Sequence, residues 1–363
     1  MKRLSYRSWN VKKDEAYLPF VTILVPAYNE EKVIRFKMEN LMKLDYPRDK
    51  LQIMIVNDGS TDGTLQEISE FQKLMTDIKI EVLDNPERRG KTDSMNLALR
   101  KAKGEVVVVS DADCFWQPNI FHKALPFLSD PSIGAVTGLE ILLNPAESWV
   151  TKTEVFYNDM VHTIRVGESK FYSTIFFQGG FGAYKRFILD QFDAQADDSG
   201  TALNIVQKGY RTLLLPEASY FTCFTGVWKG KVTAKRRRAE QLIRIWFRCL
   251  RLLVSGKLRL PKRIFLPEAY LYLISPFIFL LLIPTSILVI LENPIFLLPF
   301  SSFLVATIFI KKLRTLIVEA VQDQLILLGA IFSSIFKHKF FLWNTAASRV
   351  YLTREMLESK GLI

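Results

Sequence analysis

Between residues 20 and 113, four short apolar runs alternate with amphipathic segments, and this alternation restricts the fold more than any other feature of the chain. The apolar runs are FVTILVP, LQIMIVND, IKIEVLD and EVVVVSDAD, and helical patterns begin between them at Glu30, Thr64 and Lys91. Strands that are apolar along their whole length are typical of a parallel sheet whose two faces are covered by helices. The sequence therefore predicts an α/β domain with a mostly parallel sheet.

Polar side chains follow the predicted strands at the points where the strands end. Ligands of such sheets bind beyond the carboxyl ends of the strands. Acids along the edge of a buried sheet are unfavourable unless a cation or a hydroxyl-rich ligand binds there, so this edge is the predicted active site. The residues concerned are Asn29, Glu30, Asn57, Asp58, Ser60, Asp84, Asp111 and Asp113.

Positive charge is concentrated in one part of the chain. The 48 Lys and Arg residues exceed the 37 Asp and Glu residues by 11, which favours phosphate-bearing partners such as nucleotides, anionic lipids or nucleic acids. Thirteen of the basic residues lie at 229–263, where Glu240 is the single acid and Trp246 and Phe247 are interleaved. This pattern predicts a basic amphipathic helix on an anionic membrane surface.

Long apolar runs follow that segment. Residues 269–291 contain no charge, and their length as a helix, about 35 Å, is enough for a hydrocarbon core of about 30 Å. A second uncharged run, 293–310, follows, and basic segments flank the pair, which favours a membrane hairpin with both ends in the cytosol. A third stretch, 316–336, contains two acids and precedes further basic residues, so we expect an interfacial or re-entrant helix there.

The cysteines, the N-terminal residues and the length of the chain restrict the kinds of protein that this sequence can be. The three cysteines form no CxxC motif, which argues against a disulfide framework and against a structural zinc site. Residues 1–19 are basic without an apolar run, so we expect no signal peptide and a cytosolic start. A chain of 363 residues is long enough for more than one domain.

Six motifs occur in order along the chain: TILVPAYNEE (22–31), VNDGSTDGT (56–64), GKTDSMNLAL (90–99), VVSDADC (108–114), FQGGFGAYKR (177–186) and ADDSGTALNIVQKGYR (196–211). Together they strongly resemble the membrane-associated family 2 glycosyltransferases. The resemblance implies a GT-A fold, which is a Rossmann-like catalytic domain. It also implies a nucleotide-diphosphate sugar as donor, UDP-linked, and inversion at the anomeric carbon.

The expected domains follow from these patterns and from the family's layout. They are a basic N-terminal segment (1–19), a GT-A catalytic domain (20–225) with a nucleotide-sugar half (20–113) and an acceptor half (114–225), a basic interfacial segment (226–267), a transmembrane hairpin (268–310), and a membrane-associated helix with a cytosolic tail (311–363).

In the family an Asp-x-Asp pair at a strand end handles a divalent cation, and here the pair is Asp111 and Asp113. Hard oxygen ligands beside phosphate suit Mg²⁺ or Mn²⁺. Strand alternation turns both side chains to one side, so that Asp113 can reach the metal and Asp111 the ribose or phosphate. For an isolated triplet, two solvated acids in a turn are the alternative interpretation.

The resemblance also implies residues that bind the rest of the donor. Asp58 is expected to contact the nucleoside, whereas helix capping explains Ser60 and Asp62 better. Lys91 begins a helix after Gly90 and is placed to meet the diphosphate. Surface solvation explains Asn96 almost as well as donor binding does. The remaining donor-binding candidates are Ala27, Glu30, Asp93, Asn96 and Arg238.

Inversion by direct displacement needs a base for the acceptor hydroxyl. In the family this base is the second acid of a pair that opens a helix, which implies Asp198, with Asp197, Gly179 and Gly180 expected to bind the acceptor. Acids at a helix start are also ordinary capping residues. A further acid that is usual two positions after the base is Gly200 here, a departure from the pattern.

A second departure concerns product length. Membrane polymerases of the family carry Gln-x-x-Arg-Trp before the interfacial helix, and the aligned residues here are Lys235 to Ala239. Arg238 matches and implies a contact with the diphosphate, but Ala239 replaces the Trp on which an acceptor sugar stacks. We therefore expect a non-processive enzyme.

The leading prediction is a metal-dependent inverting glycosyltransferase that is multi-pass in the cell membrane, with its catalytic domain in the cytosol and a lipid-linked or glycan acceptor. A polyprenyl-phosphate glycosyltransferase is the alternative enzyme, because a phosphate acceptor needs no strong base. A non-catalytic membrane scaffold or nucleic-acid binder is the alternative from another class. Nucleic acid is not expected as a partner, because few aromatic residues accompany the basic stretch.

Overall fold

The computed structural model describes residues 1–74, 80–336 and 351–363, without the side chains of Lys311 and Lys312. The chain divides into two compact units. The first contains Met1–Val227 together with Leu342–Ile363, and the second contains Trp228–Phe341. The beginning and the end of the chain therefore belong to the same unit.

In the described part of the first unit, eight strands form one sheet: β1 Val21–Ala27, β2 Leu51–Asp58, β3 Ile80–Asn85, β4 Val106–Val109, β5 Phe115–Trp116, β6 Ile133–Leu142, β7 Gly182–Lys185 and β8 Arg211–Thr222. Their order across the sheet is β3-β2-β1-β4-β7-β6-β8-β5. The pairs among β1 to β4 are parallel, as is β6 with β8, whereas β7 is antiparallel to both neighbours and β5 to β8. The predicted mostly parallel sheet is confirmed.

The helices of this part of the chain are α1 Lys2–Ser5, α2 Ile34–Met42, α3 Thr64–Leu74, α4 Lys91–Leu99, α5 Ile120–Ala124, α6 Trp149–Phe171 and α7 Ser199–Gln207. The helical patterns that the sequence shows at Glu30, Thr64 and Lys91 correspond to α2, α3 and α4. In α3 the buried residues Thr64, Ile68 and Phe71 recur at helical spacing, so one face of the helix is available to the core. Gly90, with φ of 92°, stands immediately before α4.

The sheet places the ends of three strands along one edge. β1 is buried throughout, as its unbroken apolar run predicts. Its register aligns Ala27 with Asn57 of β2 and Leu24 with Val109 of β4. Because the three strands are parallel, the segments that follow them emerge at the same edge, where the predicted polar residues lie.

The second unit is helical in its described part, with α8 Trp228–Val254, α9 Lys262–Ala269, α10 Ser275–Glu292, α11 Leu297–Phe309 and α12 Lys311–Ile335. Lys231 of α8 is fully buried, and its Nζ lies 2.7 Å from Glu319 Oε1 of α12. Lys235 lies 2.8 Å from both Glu319 and Asp323. Two lysines of the predicted lipid-facing segment are therefore paired with the acids of the third apolar stretch, because a buried ammonium group needs a partner.

Two helical stretches of the second unit, Lys262–Glu292 and Leu313–Ile335, are long and apolar enough to cross a membrane by length and composition. α11 has 13 residues, about 20 Å, which is less than a hydrocarbon core of about 30 Å. The second limb of the predicted hairpin is therefore short. The third stretch, expected to be interfacial or re-entrant, has the length of a membrane span, and the number of crossings stays a prediction.

The last described segment lies in the first unit. Helix α13, Arg354–Ser359, begins after Thr353, whose side chain caps it by accepting from the Met356 N–H. Leu357, Leu362 and Ile363 are buried in a cluster with Phe115 and Phe221. The residues expected to form a cytosolic tail therefore pack against β5 and β8 of the catalytic sheet.

Candidate active site

Hydrogen bonds join the loops that follow β1 and β2. Asn29 adopts a φ of 53°, its N–H donates to Ser60 Oγ at 3.0 Å, and its side-chain oxygen accepts from the Thr61 N–H at 2.8 Å. Asp62 accepts from the Thr64 N–H at 3.0 Å at the start of α3, as a capping residue does. Ser60, for which capping was also expected, links the two loops instead.

The carboxylate of Asp58 holds the loop before α4. It accepts hydrogen bonds from the Arg89 N–H at 2.9 Å, the Gly90 N–H at 2.8 Å and the Ser94 hydroxyl at 2.6 Å. Asn85 is a further donor at 3.3 Å. Asp58 therefore fixes the position of the segment that leads to Lys91, and its contact with the nucleoside stays a prediction.

Asp111 and Asp113 lie in a turn beyond β4, which ends at Val109. The alternation of a strand therefore does not apply to them, and that argument for their common orientation was wrong. The turn nevertheless brings their side chains together: ligand atoms of Asp111, Asp113 and Cys114 all lie within 4.8 Å of one another. The Asp111 N–H donates to the Gly179 carbonyl at 2.8 Å, which ties this turn to the glycine-rich segment.

The two glycines expected near the acceptor leave room for neighbouring side chains. A Cβ atom on Gly179 would collide with the Asp111 carboxylate, and one on Gly180 would collide with the Tyr220 ring. The Gly180 carbonyl accepts from Trp116 Nε1 at 2.7 Å. These positions therefore require glycine because of the close approach of the Asp111 turn and of β8, and acceptor binding by them stays a prediction.

The chemistry of the Asp111 and Asp113 pair fits a hard divalent cation, because both residues offer carboxylate oxygen atoms in one small cluster. Cys114 is the third member of the cluster. Burial, and then the charges of Asp113 and Asp111, raise the pKa of its thiol well above the usual range, so the sulfur stays protonated. The two carboxylates are therefore the groups that would hold Mg²⁺ or Mn²⁺.

Lys91 lies between Asp111 of the candidate metal site and the two acids at the start of α7. Its Nζ lies 2.7 Å from Asp111 Oδ1, 2.7 Å from Asp197 Oδ2 and 3.9 Å from Asp198 Oδ2. Burial lowers the pKa of Lys91, but these three carboxylates raise it, and the net pKa lies well above the usual range for lysine. One positively charged ammonium group therefore stands among acids from two segments of the chain, the turn after β4 and the start of α7.

Asp198 is the N-cap residue of α7, yet within the described contacts of that helix its side chain makes no capping hydrogen bond. The alternative interpretation, that this acid is present only to cap the helix, therefore lacks support in the geometry. The Asp197 carbonyl accepts from the Thr201 hydroxyl at 2.5 Å, which anchors the first turn. Both carboxylates of the pair lie beside the Lys91 ammonium group, at 2.7 Å and 3.9 Å.

The glycine at position 200 has a structural explanation. A Cβ atom there would lie 2.6 Å from the Asp193 carboxylate. Asp193 in turn accepts from the Gln195 N–H at 3.0 Å and from Asn204 Nδ2 at 3.2 Å. An acid from the preceding loop thus occupies the space that a side chain at position 200 would need.

The other predicted donor-binding residues lie in different surroundings. Ala27 and Glu30 are buried at the end of β1, and the Glu30 N–H donates to Thr64 Oγ1 at 2.7 Å. Asp93 is exposed on α4. Asn96 holds the backbone of Phe192, accepting from its N–H at 2.7 Å and donating to its carbonyl at 3.3 Å, so these bonds account for Asn96 better than solvation does, and its contact with the donor stays a prediction. Arg238 lies on α8 in the second unit, and its role stays a prediction.

Sequence reasoning missed Lys37 of α2. Its side chain is fully buried, and its Nζ donates to the Ser110 hydroxyl and to the Cys114 carbonyl, on either side of the two acids. The sequence does contain a pattern that indicates this residue, because Lys37 stands among Ile34, Met38 and Leu41 on the apolar face of α2. A charge on a buried helical face needs a partner, and the pattern could have prompted a search for one.

Comparison with known proteins gives concordant matches. A family model described as glycosyl transferase family 2 matches residues 22–192. The mannosyltransferase PcManGT from Pyrobaculum calidifontis, solved in complex with GDP-Man and Mn²⁺, is 31% identical, with a TM-score of 0.76 over 93% of each chain.

Two curated relatives differ in how much of the chain they match. A poly-β-1,6-N-acetyl-D-glucosamine synthase of Staphylococcus epidermidis is 24% identical over 98% of this chain and 88% of that protein. A β-monoglucosyldiacylglycerol synthase of a Nostoc species is 32% identical over 40% of this chain and 31% of that protein. The match to the first three curated relatives spans 52%, 31% and 31% of their own lengths.

Proposed function

Because the chain belongs to glycosyltransferase family 2, we propose that it transfers a sugar from a nucleotide-diphosphate donor to a lipid-linked or glycan acceptor at the cytosolic face of a membrane. The enzyme is an inverting GT-A hexosyltransferase that uses a nucleotide sugar. The identity of the donor, the acceptor and the residues that act on them belong to the proposal.

The observation that carries the proposal is the position of Lys91. Its ammonium group lies 2.7 Å from Asp111 beside the candidate metal site and 2.7 Å from Asp197 beside the proposed base. A donor diphosphate held at Asp111 and an acceptor hydroxyl held at Asp198 would therefore be neighbours. Proximity of that kind is what a displacement reaction requires.

In the proposed reaction, the oxygen atoms of the donor diphosphate compete with the carboxylates for the Lys91 ammonium group. The Asp198 carboxylate accepts the proton of the acceptor hydroxyl while that oxygen attacks the anomeric carbon. The bond between the anomeric carbon and the phosphate oxygen breaks on the opposite face, and the configuration inverts. The proton stays on Asp198 and the electron pair leaves with the nucleoside diphosphate.

Asp111 and Asp113 would hold the divalent cation. When bound, the cation offsets the negative charge that develops on the leaving diphosphate. Lys91 contributes a second, fixed positive charge at the same place, and its high pKa keeps it protonated across the physiological range. The relative solved with Mn²⁺ supports Mn²⁺ as the first cation to test, with Mg²⁺ as the second.

The membrane setting is supported by the apolar helices of the second unit and by relatives whose names include a polysaccharide synthase and a glycolipid synthase. An acceptor attached to a lipid would be presented at such a surface. UDP-linked sugars are the expected donors, and GDP-linked sugars belong in the same screen because PcManGT was solved with GDP-Man.

The test uses the purified full chain, radiolabelled nucleotide sugars and a total lipid extract. Asp198→Asn keeps the size of the side chain but removes the base, so the rate of transfer should fall by roughly 10²–10⁴-fold while donor binding persists. The matched control is Asp190→Asn, an exposed acid paired with Lys208, and it should leave the rate unchanged.

The outcomes separate the candidate functions. Full activity of the Asp198→Asn variant would favour transfer to a polyprenyl phosphate, because a phosphate acceptor needs no strong base. Absence of transfer from any donor by the wild-type protein would favour the non-catalytic scaffold.

Product length distinguishes this proposal from polymer synthesis, the activity in the name of the Staphylococcus epidermidis relative. Ala239 offers no aromatic ring on which a nascent glycan could stack. Loss of a contact worth about 1.4 kcal/mol weakens retention about tenfold, so we expect the product to leave after one or a few sugars. Sizing of products made with excess acceptor checks this, and long polymer beside unextended acceptor would contradict it.

A further inference from the structure

A buried lysine lies under the turn that carries Asp111 and Asp113. Lys37 projects from α2 into the core of the first unit with no exposed surface. Its Nζ donates to Ser110 Oγ at 2.7 Å and to the Cys114 carbonyl at 2.6 Å, and it lies 4.3 Å from the centre of the Trp116 ring. Both hydrogen-bond partners are neutral oxygen atoms, and they stand immediately before and after the pair of acids.

The stability of the core does not account for a lysine at this position. A buried ammonium group loses its hydration, whereas an unbranched apolar side chain such as methionine would fill a similar volume without that loss. What methionine could not do is donate to Ser110 and Cys114 at once. The distinctive property of Lys37 is therefore that it joins the two ends of the Asp111 and Asp113 turn.

The contact with Ser110 reaches the glycine-rich segment as well. Because the Lys37 Nζ donates to the Ser110 oxygen, the proton of that hydroxyl is directed to a carbonyl, and the Asp111 and Gly180 carbonyls lie 3.1 Å and 3.2 Å away. One helical turn after Lys37, Asn40 accepts from the Trp116 N–H at 2.8 Å and donates to the Trp116 carbonyl at 2.9 Å. α2 thus holds the whole segment from Ser110 to Trp116.

We propose that Lys37 is a positioning residue for the cation and the donor diphosphate: through Ser110 and Cys114 it fixes the turn that presents Asp111 and Asp113 before either ligand binds. The inference rests on the proposed function of that turn. Ligand groups that are already ordered lose less conformational freedom on binding, so the fixed turn raises the affinity for the cation.

While Lys37 is protonated, its charge acts in the opposite direction, and this opposition allows the two effects to be separated. A positive group near the site repels a cation, so removal of the charge alone should tighten cation binding. Removal of the two hydrogen bonds should weaken it. The sign of the change in affinity therefore separates positioning from electrostatics.

The experiment measures binding of Mn²⁺ to the full-length protein, by the electron paramagnetic resonance signal of free Mn²⁺, alone and with UDP or GDP. Lys37→Met removes the charge and both hydrogen bonds, and it should raise the dissociation constant for Mn²⁺ by about tenfold or more. Lys37→Gln keeps an amide donor and should show a smaller increase. The control Lys43→Met replaces an exposed lysine at the end of the same helix and should match the wild type.

Kinetics supply a second measurement on the same variants. The Mn²⁺ concentration for half-maximal transfer should rise with the dissociation constant, while kcat at saturating Mn²⁺ should change less. If Lys37→Met fails to fold, Ser110→Ala removes one of the two partners while leaving Lys37 in place, and it should also weaken Mn²⁺ binding.

Several results would overturn the inference. Tighter Mn²⁺ binding in folded Lys37→Met and Lys37→Gln would show that only the charge of Lys37 matters. A lower melting temperature with unchanged Mn²⁺ binding would show a purely structural role. If the wild-type protein binds no Mn²⁺, both the metal assignment and this inference are contradicted. If the wild type binds Mn²⁺ and the variants have the same dissociation constant, only this inference is contradicted.

Discussion

At the scale of single residues, the two acids of the turn after β4 invite the most direct test. Asp113→Asn replaces one carboxylate ligand by a weaker amide ligand, so we expect transfer to fall by about 100-fold or more. Donor binding should lose its dependence on divalent cation. Transfer assays with and without EDTA, beside equilibrium binding of the nucleotide sugar, provide the measurement. Full activity in excess EDTA would contradict the metal site.

The burial of Lys37 also predicts how the free energy of unfolding depends on pH. Burial lowers its pKa from 10.5 to about 7, against the opposing effects of Cys114, Asp111 and Asp113. Between these pH values the unfolded chain binds a proton that the folded protein lacks, so this residue makes stability rise with pH, by at most about 1.4 kcal/mol per unit. The unfolding free energy of the wild type minus that of Lys37→Met should therefore increase from pH 7 to pH 9. Denaturant titrations in detergent measure it, and a constant difference would count against the low pKa.

The sequence predicted the acids of the candidate site and Lys91, but neither the contacts between them nor the buried Lys37. Asp111, Asp197 and Asp198 follow from motif resemblance, whereas their common contact with Lys91 depends on how far apart β4 and α7 lie in the fold. Asp58 and Asn96 illustrate the converse. Their residue types suit ligand binding, and in the structure they also hold other segments of the protein. Asp58 accepts from the Arg89 and Gly90 N–H groups and from the Ser94 hydroxyl, and Asn96 accepts from the Phe192 N–H, contacts that no local pattern reveals.

At the scale of secondary structure, the apolar runs and helical periodicities were sufficient to predict β1 to β4 and the helices between them. The turn after β4 was not predictable, because strand alternation ends at a residue that the sequence does not mark. The packing of α13 was also beyond local reasoning. It depends on contacts between residues more than 200 positions apart, such as the donation of Asn40 Nδ2 to the Leu362 carbonyl at 2.7 Å.

The packing of α13 leads to a prediction about stability. Leu357 is fully buried in the cluster with Phe115 and Phe221, so Leu357→Ala should lower the unfolding free energy of the first unit by about 2–5 kcal/mol. Glu355→Ala, at an exposed position of the same helix, should change it little. The measurement is the thermal unfolding of both variants and of the wild type. Equal midpoints for Leu357→Ala and the wild type would show that the cluster does not contribute to stability.

At the scale of the whole molecule, the predicted membrane topology can be tested by cysteine labelling. The native cysteines Cys114, Cys223 and Cys249 are buried, which keeps the background low. A cysteine at Asn293, between the two predicted limbs, should react with an impermeant reagent outside intact cells. Leu362 is buried in the protein and would resist labelling on either side, so the C-terminal position to use is the exposed Lys360, which should react only after lysis. The reverse pattern would refute the topology.

Residues 351–363 belong to the first unit, and this limits the number of times that the chain can cross a membrane. A chain that leaves the catalytic unit at Val227 and returns to it after the helices of the second unit must end in the compartment in which it started. We therefore predict an even number of membrane crossings in between. Because three apolar stretches lie in that interval, we predict that two of the three cross the membrane. We therefore predict that a reporter fused after Ile363 lies in the same compartment as the catalytic unit.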